Sequence, residues 1–470
     1  MKKTVLFVAF FLTCFCVLAQ KNKTIRVPLS ADKWTFANQK VEFLQEEGKP
    51  AMKIMPGSGQ VVAKNLDFSD GTIEYDIKFL TPGFASTYFR WKDANENESF
   101  YFRSDRAGNP GAVDAVQYAP HIAGVNLWDM LDHYQTNAAF SLEKWNHVKL
   151  VLSGAQMRAY VNSQEQPTLE IPRLEGNTTT GSIAFDGDVM ISNLVLKPGE
   201  TEGLSSIAGI DPTHHDPRYI RSWAVSQPVT TPKNVDFSAD FFPKPEGSWE
   251  VISAERRGLI NLTRKFGKSE TRRFVWLKAK INSATAQKKR IDLGFSDEVW
   301  VYRNNQLVYT DKNLYGAPIM KEPDGRISIE NTSFLLPLNK GNNELLIGVA
   351  NDFYGWGIIA RIEDLEGLEI QPDPTFDSRM VKLSDQILNA YAGKYIQANG
   401  MNMVIAKENN ALKASGDGIS TVLLYPEADN KFFIKEFDVQ LEFVKDATNK
   451  VSGLVIYNNG KQVLEAKRAE

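Results

Sequence analysis

Over most of its length this chain alternates apolar and polar side chains one for one. In Gly71-Thr-Ile-Glu-Tyr-Asp-Ile-Lys-Phe79, the residues Ile73, Tyr75, Ile77 and Phe79 fall on one side, and Thr72, Glu74, Asp76 and Lys78 on the other. Successive side chains of a strand point to opposite faces, so the pattern describes an antiparallel strand with one buried face. The same period recurs at 86–91, 99–103, 115–118, 145–152, 156–161, 181–185 and 190–196, while helical periodicity is scarce. The expected fold class is all-β.

Length then sets the number of cores. A chain of 470 residues exceeds what one core supports, since single cores stop growing near about 250–300 residues. Two stretches rich in turn residues divide it: 197–217, and Gln371-Pro-Asp-Pro374. The expected layout is a leader at 1–19, segments at 20–200, 215–370 and 380–470, and linkers at 201–214 and 371–379. The leader rests on Lys2 and Lys3, an apolar run at 5–17, and the small residues of Val17-Leu18-Ala19. That is the layout of a secretory signal peptide cleaved after Ala19, with an uncleaved anchor as the alternative. Cys16 lacks the small preceding residue that lipid attachment requires. The expected location is periplasmic or extracellular, with no membrane-spanning segment after cleavage.

Both cysteines, Cys14 and Cys16, lie in the leader, so thiol catalysis and thiolate metal sites are excluded from the remainder. Formal charge is −3, and −5 once Lys2 and Lys3 are lost. No basic block points to nucleic acid. Aromatic residues make up 11% of the chain, with nine Trp, which suits sandwich cores or sugar-stacking surfaces.

Three resemblances follow from motifs. Asp70-Gly-Thr-Ile-Glu-Tyr-Asp76, Trp145-Asn-His-Val-Lys-Leu150, Ala159-Tyr-Val-Asn162 and Gly181-Ser-Ile-Ala-Phe185 make the first segment resemble a laminin-G or concanavalin-A-like jelly roll. That fold serves lectins, hydrolases and spacers alike. Ser296-Asp-Glu-Val-Trp-Val-Tyr302, with the strand, turn and strand around Lys340-Gly341-Asn342, makes the second resemble a galactose-binding-like β-sandwich. Such modules ride beside catalytic domains of glycan-degrading enzymes and bind at loops on one end. Tyr391-Ala-Gly-Lys-Tyr395, Leu424-Tyr-Pro426, Lys431-Phe-Phe433 and Leu441-Glu-Phe443 make the third similar to the small β-barrel-like domain appended to serine β-lactamase-like proteins. The enzyme itself is not expected. Ser30-Ala-Asp-Lys33 and Ser141-Leu-Glu-Lys144 match its Ser-x-x-Lys letters, but neither begins a long apolar helix.

One glycosidase family of the jelly-roll fold carries Glu-x-Asp-x-x-Glu on a strand, its two Glu flanking the scissile bond. Glu74-Tyr-Asp76 begins that pattern, but Phe79 stands where the second Glu belongs. Asp105, Asp114, Asp129 and Asp186 lie on separate segments that folding could bring together. Tyr88 and Arg90, Tyr101 and Arg103, and Ala115 and Gln117 each share a strand face by alternation. Side by side, these strands would gather Arg90, Arg103 and Gln117 with two tyrosines. Arg forks, an amide and aromatic rings suit sugar hydroxyls or a uronate carboxylate. The loop 121–134 adds Trp128, Asp129 and His133, and the Gly-rich loop 351–357 adds Tyr354 and Trp356. Against this stands the plain alternative that the arginines are paired and the rings pack. Five His show no zinc spacing, and no cofactor is expected. Asp186-Gly-Asp188 offers either a Ca²⁺ loop or an ordinary Asp-Gly turn. The first reading is an exported carbohydrate-binding protein with no catalytic domain of its own. The alternatives are a glycoside hydrolase or lyase acting from the first segment, and a structural or interaction protein of the cell envelope.

Overall fold

The computed structural model describes residues 24–370 and 383–469, apart from 38, 164, 234, 244–247, 409–410, 418, 435–438, 447 and 459–460. The leader and the 371–379 linker lie outside the described residues. Strands make up 53% of the structure and helices 6%, so the class is all-β.

The first body is a sandwich of two large antiparallel sheets. One runs, in spatial order, Leu169–Ile171, Gln156–Val161, Trp145–Ser153, Gly71–Phe79, Val189–Pro198, Lys49–Ile54 and Val41–Glu46. The other runs Val125–Asn126, Val116–Ile122, Glu96–Arg103, Phe84–Asp93, Ser182–Asp186, Val61–Ala63 and Trp34–Thr35. Their inner faces meet in an aromatic-rich core. Ile73, Tyr75, Ile77 and Phe79 are all buried there, and Phe79 packs on Phe102 with ring centroids 5.0 Å apart. On the outer face, Glu74 pairs with Lys197 at 2.9 Å, and Asp76 accepts from His147 at 2.9 Å and Asn193 at 2.6 Å. These carboxylates are spent on their own sheet.

The second body is also a sandwich. Its larger sheet runs Trp249–Ser253, Ser222–Ser226, Arg273–Ser283, Gly341–Ala350, Glu298–Arg303 and Gln306–Lys312. It faces a sheet of Leu259–Asn261, Gly357–Ile362, Gln287–Ser296 and Thr332–Leu338. The turn at Lys340-Gly341-Asn342 therefore passes the chain from one sheet to the other. The two sandwiches pack directly, and the first core takes in Tyr219, Leu259, Ile327 and Ile359 of the second. The intervening stretch is pinned to both. Leu204 packs on Val151 and Tyr160, the Gly209 amide donates to Pro172 O at 2.7 Å, and Asp211 accepts from the Arg257 amide at 3.0 Å.

The third body is a closed barrel of eight strands, from Gly393–Gln397 to Lys461–Arg468. A helix absent from the alternation, Asp385–Tyr391, precedes it and is capped by the Ser384 side chain. Tyr391 stacks on Phe443 in the barrel core, centroids 4.4 Å apart. That core holds no residue of either sandwich among the described residues.

Candidate functional site: a cleft between two sandwiches

Strand register builds the floor of a cleft of about 1180 Å³ between the sandwiches. Across four neighbouring strands of the first sandwich, Asp186 stands opposite Ser86, Ser86 opposite Tyr101, and Tyr101 opposite Gln117. Cross-strand partners share a face, so this row points away from the core. The adjacent row brings Tyr88, and Arg103 follows Tyr101 two residues along its strand.

Gln117 organises this floor without reaching the solvent. Its Oε1 accepts from Tyr101 Oη at 2.7 Å and from Arg103 Nη2 at 2.8 Å, and its Nε2 donates to Trp128 O at 2.8 Å. One amide thus fixes a phenol, a guanidinium and the loop that carries Trp128. Arg103 also donates to Asp114 O at 2.6 Å and lies 3.7 Å from the Asp114 carboxylate. Burial pushes the Tyr101 phenol up to about 12, against the pull of Arg103.

The facing wall is largely aromatic and joins Trp128 of the first sandwich to loops of the second. Trp128 meets Tyr315 edge-on at 5.0 Å and Tyr354 at 6.0 Å. Tyr315 stacks on Phe353 at 5.4 Å with planes 4° apart. Tyr315, Phe353 and Tyr354 are exposed, as is Phe84 on the opposite rim. The Arg326 guanidinium lies 5.2 Å from the Trp128 ring centre.

Two buried acids hold this wall in place. Asp129, from the first sandwich, accepts from the Gly355 amide at 3.1 Å. Asp297, from the second, accepts from the Asp352 amide, from Phe353 N at 2.8 Å and from Ser296 Oγ at 2.7 Å. Burial raises the pKa of both, Asp297 to about 7, and their proximity adds to the rise at Asp129.

The structure places the sequence-derived candidates unevenly. Tyr88, Tyr101, Arg103, Trp128 and Tyr354 line the cleft. Gln117 and Asp129 stand behind it as supports, each buried. Arg90 is a correction. It was expected beside Arg103, but it adopts φ 47° at a bulge in Phe84–Asp93. An inserted residue reverses the alternation, and Arg90 instead donates to Ser69 O, Asp70 and Gly154 O beneath the sheet. Trp356 is a second correction. Its ring is 1% exposed in the core of the second sandwich, because it begins the turn into Gly357–Ile362. His133 is a third, and lies at a separate small cavity of about 80 Å³ with Glu175 and Arg256.

Two further cleft residues, Arg326 and Tyr315, are absent from the sequence-derived candidates. Both lie on the connection 313–331, which is longer than the roughly 12–15 residues beyond which structureless loops become uncommon. That length was the legible signal. His121 and Asp186 also line the cleft. Burial lowers His121 to about 4, leaving it a neutral ring 5.7 Å from Tyr88. Burial raises Asp186, which accepts from the Gly187 amide at 2.7 Å and has no cation partner among the described residues. Its neighbour Asp188 accepts from Thr81 at 2.7 Å. Among the described residues no group of three or more His, Cys, Asp and Glu gathers as a metal would need, and no helix is long and apolar enough to cross a membrane.

No family model matches the chain, and no curated protein matches it. Several solved structures do. Carbohydrate-binding module CBM66 from Bacillus subtilis is 16% identical, with 36% of this chain and 99% of that one covered at a TM-score of 0.27. A protein of unknown function with a galectin-like fold, also from Bacillus subtilis, is 13% identical over 37% and 94% at 0.28. The β-glucanase of Bacillus licheniformis is 11% identical over 38% and 100% at 0.28.

Proposed function

We propose that the protein binds a carbohydrate in the cleft between its two sandwiches. One observation carries the reading: an exposed aromatic wall faces a pre-ordered hydrogen-bonding floor. A pyranose has apolar C–H faces and a rim of hydroxyls, so it needs rings on one side and donors and acceptors on the other. Trp128, Tyr315 and Tyr354 supply the first, and Tyr88, Tyr101, Arg103 and Asp186 the second. The floor is fixed by Gln117 before any ligand arrives, which lowers the ordering cost of binding.

The test is titration of the full chain with a panel of soluble polysaccharides. Trp128→Ala and Tyr354→Ala should each weaken binding by about five- to thirtyfold, the equivalent of roughly 1–2 kcal/mol. Unchanged affinity in both would remove the cleft from the reading.

Asp186 favours a second reading, as an enzyme. A half-buried carboxyl with a raised pKa, no cation partner and access to the cleft has the properties of a general acid. Release of reducing ends, lost in Asp186→Asn while binding persists, would convert the binding protein into a hydrolase. We also propose export, supported by Lys2, Lys3 and the apolar run before Ala19. N-terminal sequencing of the protein from its host should then begin at Gln20.

A further inference from the structure

Four arginines line the cleft, and three have acceptors. Arg103 donates to Gln117 and Asp114, Arg106 to Asp105 and Asp114, and Arg273 to Phe266 O and Gly267 O. Arg326 has none. It is 2% exposed, its Nε and Nη1 are buried without a hydrogen-bond partner, and no carboxylate pairs with it among the described residues. Its side-chain contact is the face of Trp128.

A buried, unpaired guanidinium costs several kcal/mol, and a neighbouring cation raises the cost. Arg103 is that neighbour, and it acts on Arg326 in the same direction as burial, disfavouring the charged form. Asp324 and Asp114 favour the charged form of Arg326 without reaching it, and Asp114 is already shared by Arg103 and Arg106. Elsewhere the protein pairs buried arginines carefully: Arg272 meets Glu298 at 2.9 Å, and Arg90 meets Asp70 at 2.8 Å. The exception sits in the wall of the cleft, beside the tryptophan that a sugar ring would contact.

We infer that the cleft is built for an anionic glycan, whose carboxylate or sulfate ester docks against Arg326 and Arg103 while the sugar ring lies along Trp128. The inference rests on the carbohydrate-binding reading above and adds the chemical class of ligand. Guanidinium groups suit both anions, since either offers several acceptor oxygens to a planar set of donors. The anion would supply the acceptors that Arg326 lacks and offset the repulsion between the two arginines.

The test uses the full chain and five polymers: polygalacturonate, alginate, methyl-esterified polygalacturonate, dextran sulfate and dextran. A uronate or the sulfated polymer should bind at least about tenfold more tightly than dextran, and methyl esterification should abolish a uronate preference. Esterification neutralises the carboxylate without touching the protein, so that arm does not depend on a variant that folds. Arg326→Gln should erase the anionic preference, and Arg326→Lys should retain part of it, with melting temperatures recorded for each. Preference for polygalacturonate or alginate identifies a carboxylate, and preference for dextran sulfate alone a sulfate ester. Binding of dextran and of the esterified polymer as tight as that of the acidic polymers overturns the anionic assignment while the carbohydrate reading stands. Binding to none of the five overturns both.

Discussion

Gln117 makes three hydrogen bonds from one buried amide, and each goes to a different part of the cleft. Replacing it with Leu leaves the Arg103 and Tyr101 donors without that acceptor. The expected cost is about 1–3 kcal/mol of stability, read in a denaturant titration, together with weaker glycan binding. Asp297 makes a pH-dependent contribution at the same scale. Burial raises it from 3.8 to about 7, so the folded protein holds a proton that the unfolded chain has released above pH 4. Its contribution is therefore complete below the unfolded value and is lost as pH rises through 7. Between pH 5 and pH 8 the wild type should lose about 2–3 kcal/mol relative to Asp297→Asn. Parallel stability profiles for the two proteins over that range would show that Asp297 is not raised.

The loop 351–355 shows how an element acquires its shape from outside itself. Its amides are held by Asp129 and Asp297, which belong to different sandwiches, and Tyr354 adopts φ 54° to turn its ring toward Trp128. Gly355 is required for contact rather than flexibility: a Cβ there would collide with Met130 and the Asp129 carboxylate. Gly355→Ala should push the loop off the first sandwich, costing about 1–3 kcal/mol and displacing the aromatic wall. Thermal unfolding and glycan titration together check this. Loss of binding at unchanged melting temperature would mean that the loop moves without strain.

At the scale of the whole molecule, the second sandwich lends four residues to the core of the first, and the barrel core takes none from either among the described residues. Tyr219, Leu259, Ile327 and Ile359 cannot leave the first core without exposing apolar surface at about 25 cal/mol per Å². The sandwiches should therefore unfold together, and the barrel separately. Calorimetry of the full chain is expected to resolve two transitions, and a glycan that binds the cleft should raise only that of the sandwiches. Three transitions would mean that these four residues do not couple them.

What the sequence determined by itself was the all-β class, the central strands of the first sandwich and five residues of the cleft's lining. Period-2 alternation is a local property of a strand, and Tyr88, Tyr101 and Arg103 follow it onto one face. The same rule misplaced Arg90, because a single left-handed residue reverses the faces and carries no distinct letter. Trp356 and Tyr354 lie two residues apart in one Gly-rich loop, yet one is buried in a core and the other is exposed. Only the tertiary structure decided that the two sandwiches close on each other, that Asp129 belongs to a loop clamp, and that Arg326 stands unpaired beside Trp128. Each of these depends on groups some 200 residues apart being brought within hydrogen-bond or ring-contact distance, and no local pattern encodes such a meeting.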